Sequence, residues 1–136
     1  QDIQASVVRH DGSVTDLLNK LNALIRRREP PTAILVSRAV YVLTVMGHLM
    51  RSGLRIPEDV SVIARDYEAC LDTMVPSVSG DVQKSDTMAK RISSAVLEML
   101  ESGMVSPANC QIMPEFKERE SLGTPAPRMR PAPKLP

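Results

Sequence analysis

The side chains in this chain best suited to chemistry sit just beyond three short apolar runs. Arg9, His10 and Asp11 follow Ala5 to Val8, Ser37 and Arg38 follow Thr32 to Val36, and Arg65 and Asp66 follow Val60 to Ala64. Guanidinium groups, an imidazole, a hydroxyl and carboxylates supply hydrogen-bond donors and acceptors and both signs of charge. If the three runs are parallel strands, their carboxyl ends share one edge, the place where open α/β sheets bind ligands. Such a rim suits a polar small molecule such as a sugar. Polar residues also end strands merely because the chain is leaving the core, so the pattern alone leaves binding and solvation evenly matched. The residues put forward as ligand contacts are Arg9, Ser37, Arg38, Arg65 and Asp66.

Covalent and metal chemistry find no support. The sequence has no glycine-rich phosphate loop, no nucleophile elbow and no metal-spaced set of His, Cys, Asp and Glu. The chain therefore reads as a binding protein and not an enzyme, with no cofactor and no metal. A competing use of Asp66 is as a receiver-like phosphoacceptor. That chemistry requires an acidic pair after the first strand to hold Mg²⁺, and only Asp11 is near.

These side chains need elements to hold them. Ala5 to Arg9 is a strand candidate, and Ser13 can cap a helix with Asp16 in a capping-box position. Val14, Leu17, Leu18, Leu21, Leu24 and Ile25 then recur at helical spacing, and Arg26, Arg27 and Arg28 are placed in the last turn, where cations suit the helix dipole. Thr32 to Ser37 reads as a buried strand. The following helix, about 39–52, is apolar over a wide arc (Val40, Val42, Leu43, Val45, Met46, Leu49, Met50), with His48 on its polar, solvated side. One sheet needs a stripe of only about 100°. The excess points to a second partner, such as another subunit, or to a fully covered core helix.

Gly53 to Asp66 joins these parts. Gly53 can close the helix in the left-handed region and Pro57 stops it from resuming. Val60 to Ala64 reads as a strand covered on both faces. Beyond it, Ser77 to Asp81 is expected to be a loop or a short extended crossing. Ser85 to Glu101 is a third helix with Met88, Ile92, Ala95, Val96, Met99 and Leu100 as its stripe and Gly103 as its terminator. Cys110 to Met113 and Glu115 to Arg119 form a closing strand interrupted at Pro114, which confines it to an edge. The expected architecture is α/β, a parallel sheet flanked by helices with right-handed crossovers.

With 136 residues, 43% hydrophobic and 24% charged, the chain fits one soluble domain or a piece of a longer protein. A net charge of +1 is no footprint for nucleic acid, and 2% aromatic residues without Trp give no base-stacking platform. Cys70 and Cys110 match no metal or redox spacing and are read as buried free thiols of a cytoplasmic protein. No apolar run reaches the ~20 residues of a membrane span. Residues 123–136, rich in Pro between small and basic residues, are read as a disordered or polyproline tail after a domain at 1–122.

Thr32 to Gly53, followed by Leu54-Arg55-Ile56-Pro57-Glu58-Asp59-Val60-Ser61-Val62-Ile63, strongly resembles the LacI/GalR family of bacterial transcriptional repressors. Pro76-Ser77-Val78-Ser79 with Gln83 is similar to the family's crossing segment, and Met88 to Gly103 to its last long helix. Pro114-Glu115-Phe116 with Arg119-Glu120-Ser121 is similar to its closing strand. The resemblance covers about 31–122 and implies the C-terminal lobe of a periplasmic-binding-protein-like (type I) effector-binding core. It implies a homodimer, a small effector such as a sugar, and operator DNA bound only through a helix-turn-helix domain missing from this chain. A related alternative is a periplasmic-type sugar receptor.

Carried over residue by residue, Asp66 keeps the family's ligand-contacting aspartate, and Arg9 falls where some members place a ligand-gripping arginine. The family's Asn-Asp pair is replaced by Arg38-Ala39, and its Gly-aromatic before the aspartate by Ala64-Arg65. Guanidinium favours carboxylate, phosphate or bidentate hydroxyl recognition, so an anionic sugar derivative joins the neutral sugar as a ligand class. Val42, Leu43, Met46 and Met50, with Cys70 and Met74, fit the family's dimer interface. The Met88 helix is expected to pack on the absent first lobe.

Overall fold

The computed structural model describes residues 4–83, 85–103 and 111–126. Its elements are α1 (Val14–Ile25), β1 (Ala33–Val36), a 3-10 turn (Ala39–Tyr41) running into α2 (Val42–Arg51), β2 (Ser61–Ala64), a second 3-10 turn (Ala69–Asp72), β3 (Ser79–Val82), α3 (Ser85–Ser102) and β4 (Glu115–Lys117). The four strands form one sheet in chain order. β1, β2 and β3 are parallel, and β4 closes the edge antiparallel to β3 with Asp81 opposite Phe116. The sheet is thus mixed, and the strand after Pro114 lies at an edge as its proline requires.

Residues 4–10 form no strand. Val7 and Val8, which suggested one, are exposed, with no element among the described residues covering them. The segment still runs beside α1, where Lys20 Nζ donates to the Arg9 carbonyl at 2.7 Å. Ser77 to Asp81 is the reverse case. Ser79 to Val82 becomes a strand despite a sequence poor in β-formers, because pairing with Ile63 and Ala64 supplies its hydrogen bonds. Gly80 fits there because a Cβ would stand 2.2 Å from the Ala64 carbonyl oxygen.

α1 starts where Ser13 Oγ accepts the Asp16 N–H at 3.1 Å, while the Asp11 carboxylate accepts from the Ser13 N–H and Asp16 from the Asp11 N–H. It ends at Ile25, so Arg26 to Arg28 lie beyond its last turn and not inside it. α2 closes through Gly53 at φ +78°: the Leu54 N–H reaches the Leu49 carbonyl and the Gly53 N–H the Met50 carbonyl, a Schellman pair.

The core lies between these two helices and one face of the sheet. Leu21, Leu24 and Ile25 of α1 and Val42, Val45, Met46 and Leu49 of α2 pack over Val36, Val62 and Ala64. Only that side of β1 is covered: Leu35 remains 64% exposed, so β1 is not the fully buried strand expected, whereas β2 is covered almost throughout. His48 is not solvated. It is buried, its Nε2 lies 2.7 Å from Asn22 Oδ1 on α1, and its Nδ1 has no partner among the described residues. Nε2 donates to the amide oxygen, which leaves Nδ1 bare. Burial first, and the Arg51 charge second, push its pKa below the ordinary value.

A wedge closes the structure between β2 and β3. Ser121 is fully buried, its hydroxyl donating to the Val62 carbonyl at 2.6 Å and accepting the Ser79 N–H at 2.8 Å. Its main chain bonds Val62 and Ser77. Gly123 exchanges hydrogen bonds with Ser61 Oγ, and the Ala126 N–H donates to the Glu58 carbonyl. Residues 123–126, expected in the tail, are therefore tied to the domain; 127–136 lie outside the described residues, as does Cys110. Cys70 is free and exposed, against the expectation of a buried thiol. α3 buries none of its residues, and Ile92, Val96, Leu97, Met99 and Leu100 face outward.

Candidate functional site

The register of β1 against β2 builds the rim. Val36 lies opposite Ala64, and the Arg65 N–H still reaches the Val36 carbonyl at 2.9 Å, so the ladder continues past both strands. Neighbouring strands lie about 4.8 Å apart. Ser37 and Arg38 therefore leave the sheet beside Arg65 and Asp66. Arg65 Nε lies 3.3 Å from Asp66 Oδ1, with the two side chains 60% and 43% exposed. Ser37 and Arg38 are exposed as well.

Tyr41 orders the β1 side of this rim. Its hydroxyl donates to the Gly12 carbonyl at 3.1 Å, the His10 ring meets it edge-on at 4.7 Å, and the Arg38 guanidinium lies 6.0 Å from its ring centre. The loop after residue 9 thus reaches the rim although its strand does not form. Arg9 comes with it, exposed and held through its carbonyl, with no side-chain hydrogen bond or ion pair to Arg38, Arg65 or Asp66 among the described residues. The 3-10 turn that begins after Arg38 has no side-chain cap, and neither it nor α2 carries an acid in its first turn.

Across the rim, Tyr67 donates to Asp72 Oδ2 at 2.9 Å, which raises the phenol's pKa above its ordinary value. Arg119, only 7% exposed, pairs its Nη2 with Asp72 Oδ1, though without hydrogen-bond alignment. Its guanidinium stands 5.6 Å from the Tyr67 ring centre, and its Nη1 donates to the Val78 carbonyl at 2.9 Å. Glu120 accepts from the Ser77 N–H and hydroxyl, which hold its pKa below the ordinary carboxylate value. The closing segment thereby fixes the loop that carries Asp66. Tyr41, Tyr67, Asp72 and Arg119 were not singled out from the sequence. A usable signal was there: the chain's two tyrosines both fall within a few residues of a strand end.

Two arginines, a carboxylate, hydroxyls and two phenols around an open edge can grip a polyhydroxylated or anionic molecule. They hold no nucleophile–base pair, and the described residues contain no group of His, Cys, Asp and Glu able to hold a metal ion. No described helix is long and apolar enough to cross a membrane. A cavity of about 450 Å³ lined by Gln4, Ser6, Leu24, Arg27 and Arg28 lies at the amino end of β1, opposite the rim.

The residues expected at a subunit interface divide. Val42 and Met46 are 0% exposed in the chain's own core and have no surface to offer a partner. Leu43 and Met50 are exposed, and with Val40 and Gly47 they form an outward stripe along α2. Cys70 is exposed and Met74 packs partly against the core.

The sequence matches the periplasmic binding protein-like domain family over residues 2–122. It is 28% identical over 101 residues to the HTH-type transcriptional repressor PurR of Vibrio atlanticus (strain LGP32), a match covering 74% of this chain and 30% of that protein. The fold is similar to a LacI family transcriptional regulator from Bifidobacterium animalis subsp. lactis, with a TM-score of 0.74 and 20% identity over 86% of this chain and 42% of the other. It is also similar to a LacI family regulator from Arthrobacter sp. FB24 in complex with lactose, with a TM-score of 0.70, 18% identity, 82% of this chain and 43% of the other. The chain thus spans under half the length of these proteins.

Proposed function

The chain belongs to the periplasmic binding protein-like domain family, as the C-terminal part of a LacI/GalR-type effector-binding core, and on that premise we propose that it senses a small polar effector, a sugar or sugar derivative, at the rim of Ser37, Arg38, Arg65 and Asp66. The observation that carries this is the β1–β2 register, which sets these four residues side by side at the carboxyl ends of parallel strands. The lactose held by the Arthrobacter regulator supports a sugar-class ligand. The domain does no chemistry of its own. In the whole protein, operator DNA is bound through a helix-turn-helix outside this sequence, in the cytoplasm, and the effector shifts a dimer between DNA-binding states.

The dimer contact on this reading is the outward stripe of α2, Val40, Leu43 and Met50, continued by Cys70 and Met74. Gly47 sits mid-stripe with nothing within 4 Å of its would-be Cβ, so a second helix can approach closely. Thermal-shift measurements with a panel of sugars test the site: a ligand that raises the melting temperature of the chain, and loses that effect in Asp66→Ala, supports it. A panel without a stabilising ligand, or equal shifts with and without the Asp66 carboxylate, defeats it. Light scattering at micromolar concentration tests the dimer, which Leu43→Asp is expected to dissociate.

A further inference from the structure

We propose that the effector is an anionic sugar derivative whose carboxylate or phosphate is gripped jointly by Arg38 and Arg65, while Asp66 takes a hydroxyl of the same molecule. This rests on the rim being the effector site. Arg38 and Arg65 leave adjacent strands from neighbouring register positions, so both long side chains can reach one group. Among the described residues neither guanidinium is used up. Arg65 touches Asp66 through Nε alone, and Arg38 lies against the Tyr41 ring, a contact that leaves its N–H edge free. An arginine fork matches two oxygens of one carboxylate or phosphate and recognises a lone hydroxyl less well.

The nearby acids offer little competition for an incoming anion. Asp11 is engaged by the Ser13 N–H and Asp16 by Lys20. Their carboxyl pKa values lie below the ordinary value, mainly through the Ser13 and Lys20 hydrogen bonds respectively, so both remain ionised, Asp11 hydrogen-bonded and Asp16 paired with Lys20. Asp66 is the acid beside Arg65, and its 43% exposure leaves an oxygen for a ligand hydroxyl.

The test is a thermal-shift series on the 136-residue chain at matched ionic strength, with lactose, glucuronate, glucose 6-phosphate and inorganic phosphate as separate arms. At tenfold excess over Kd, a bound ligand is expected to raise the melting temperature by about 4 °C. Stabilisation by glucuronate or glucose 6-phosphate that exceeds both lactose and inorganic phosphate, and is lost in the Arg38→Gln/Arg65→Gln variant, supports the inference. The stronger of the two arms tells carboxylate from phosphate. Lactose equal to or better than the anions overturns the inference but leaves the effector site standing. Inorganic phosphate equal to glucose 6-phosphate overturns it as a simple ion effect. No shift in any arm overturns both.

Discussion

α2 and α3 are both amphipathic, yet only one of them is part of a core. α2 lays Val42, Val45, Met46 and Leu49 on the sheet at 0–3% exposure, while α3 leaves Ile92, Val96, Met99 and Leu100 exposed and Met88 only half-buried. Periodicity fixes which face of a helix is apolar; it does not say what covers that face. α3 has no buried residue in the described structure, and the family resemblance implies a first lobe as its cover, whereas α2 serves the core of its own domain. α2 also shows the two uses within one helix, since Leu43 and Met50 point away from the core that Val42 and Met46 fill.

The contrast has measurable consequences. Met46→Ala removes a fully buried side chain and is expected to destabilise the chain by about 3 kcal/mol in urea unfolding. A cost near zero would mean that α2 is no more buried than α3. Ser121→Ala strips the wedge of a hydroxyl that satisfies Val62 and Ser79, with an expected cost of about 2 kcal/mol. At the other extreme, Ile92→Ala on α3 should change stability by less than about 0.5 kcal/mol. A larger loss would reveal a partner for α3 within this chain or in a second copy.

The buried end of the comparison carries a pH signature between these extremes. The folded-state pKa of His48 is depressed by burial and by Arg51. Its neutral form therefore contributes stability that is full above the unfolded value near 6.5 and is lost as pH falls through the folded value. Melting temperature should drop as pH is lowered from 7.5 towards 5.5. His48→Gln, which keeps a donor for Asn22 Oδ1, should flatten that slope. An unchanged slope would place His48 in solvent after all.

The same contrast explains what could be read from the residues. Gly53 to Ile63 was legible because its signals are local: a left-handed glycine, a proline and a β-branched run. Ala5 to Arg9 has strand residues without a strand, since pairing and cover come from other elements. Ser79 to Val82 forms a strand without strand residues, for the complementary reason. At the rim, Arg38, Arg65 and Asp66 were found because each ends an apolar run. The Arg119–Asp72–Tyr67 cluster was not, because its members meet only when the closing segment folds back beside β3.

The carboxyl ends of β1 and β2 are the proposed effector site. Amide chemical-shift mapping of the labelled chain, titrated with glucuronate and separately with lactose, tests it most directly. The shifts for at least one of them are expected to group at residues 10–12, 37–41 and 65–67. Shifts grouped instead around Arg27 to Pro31, at the cavity on the opposite end of β1, or absent throughout, would contradict it.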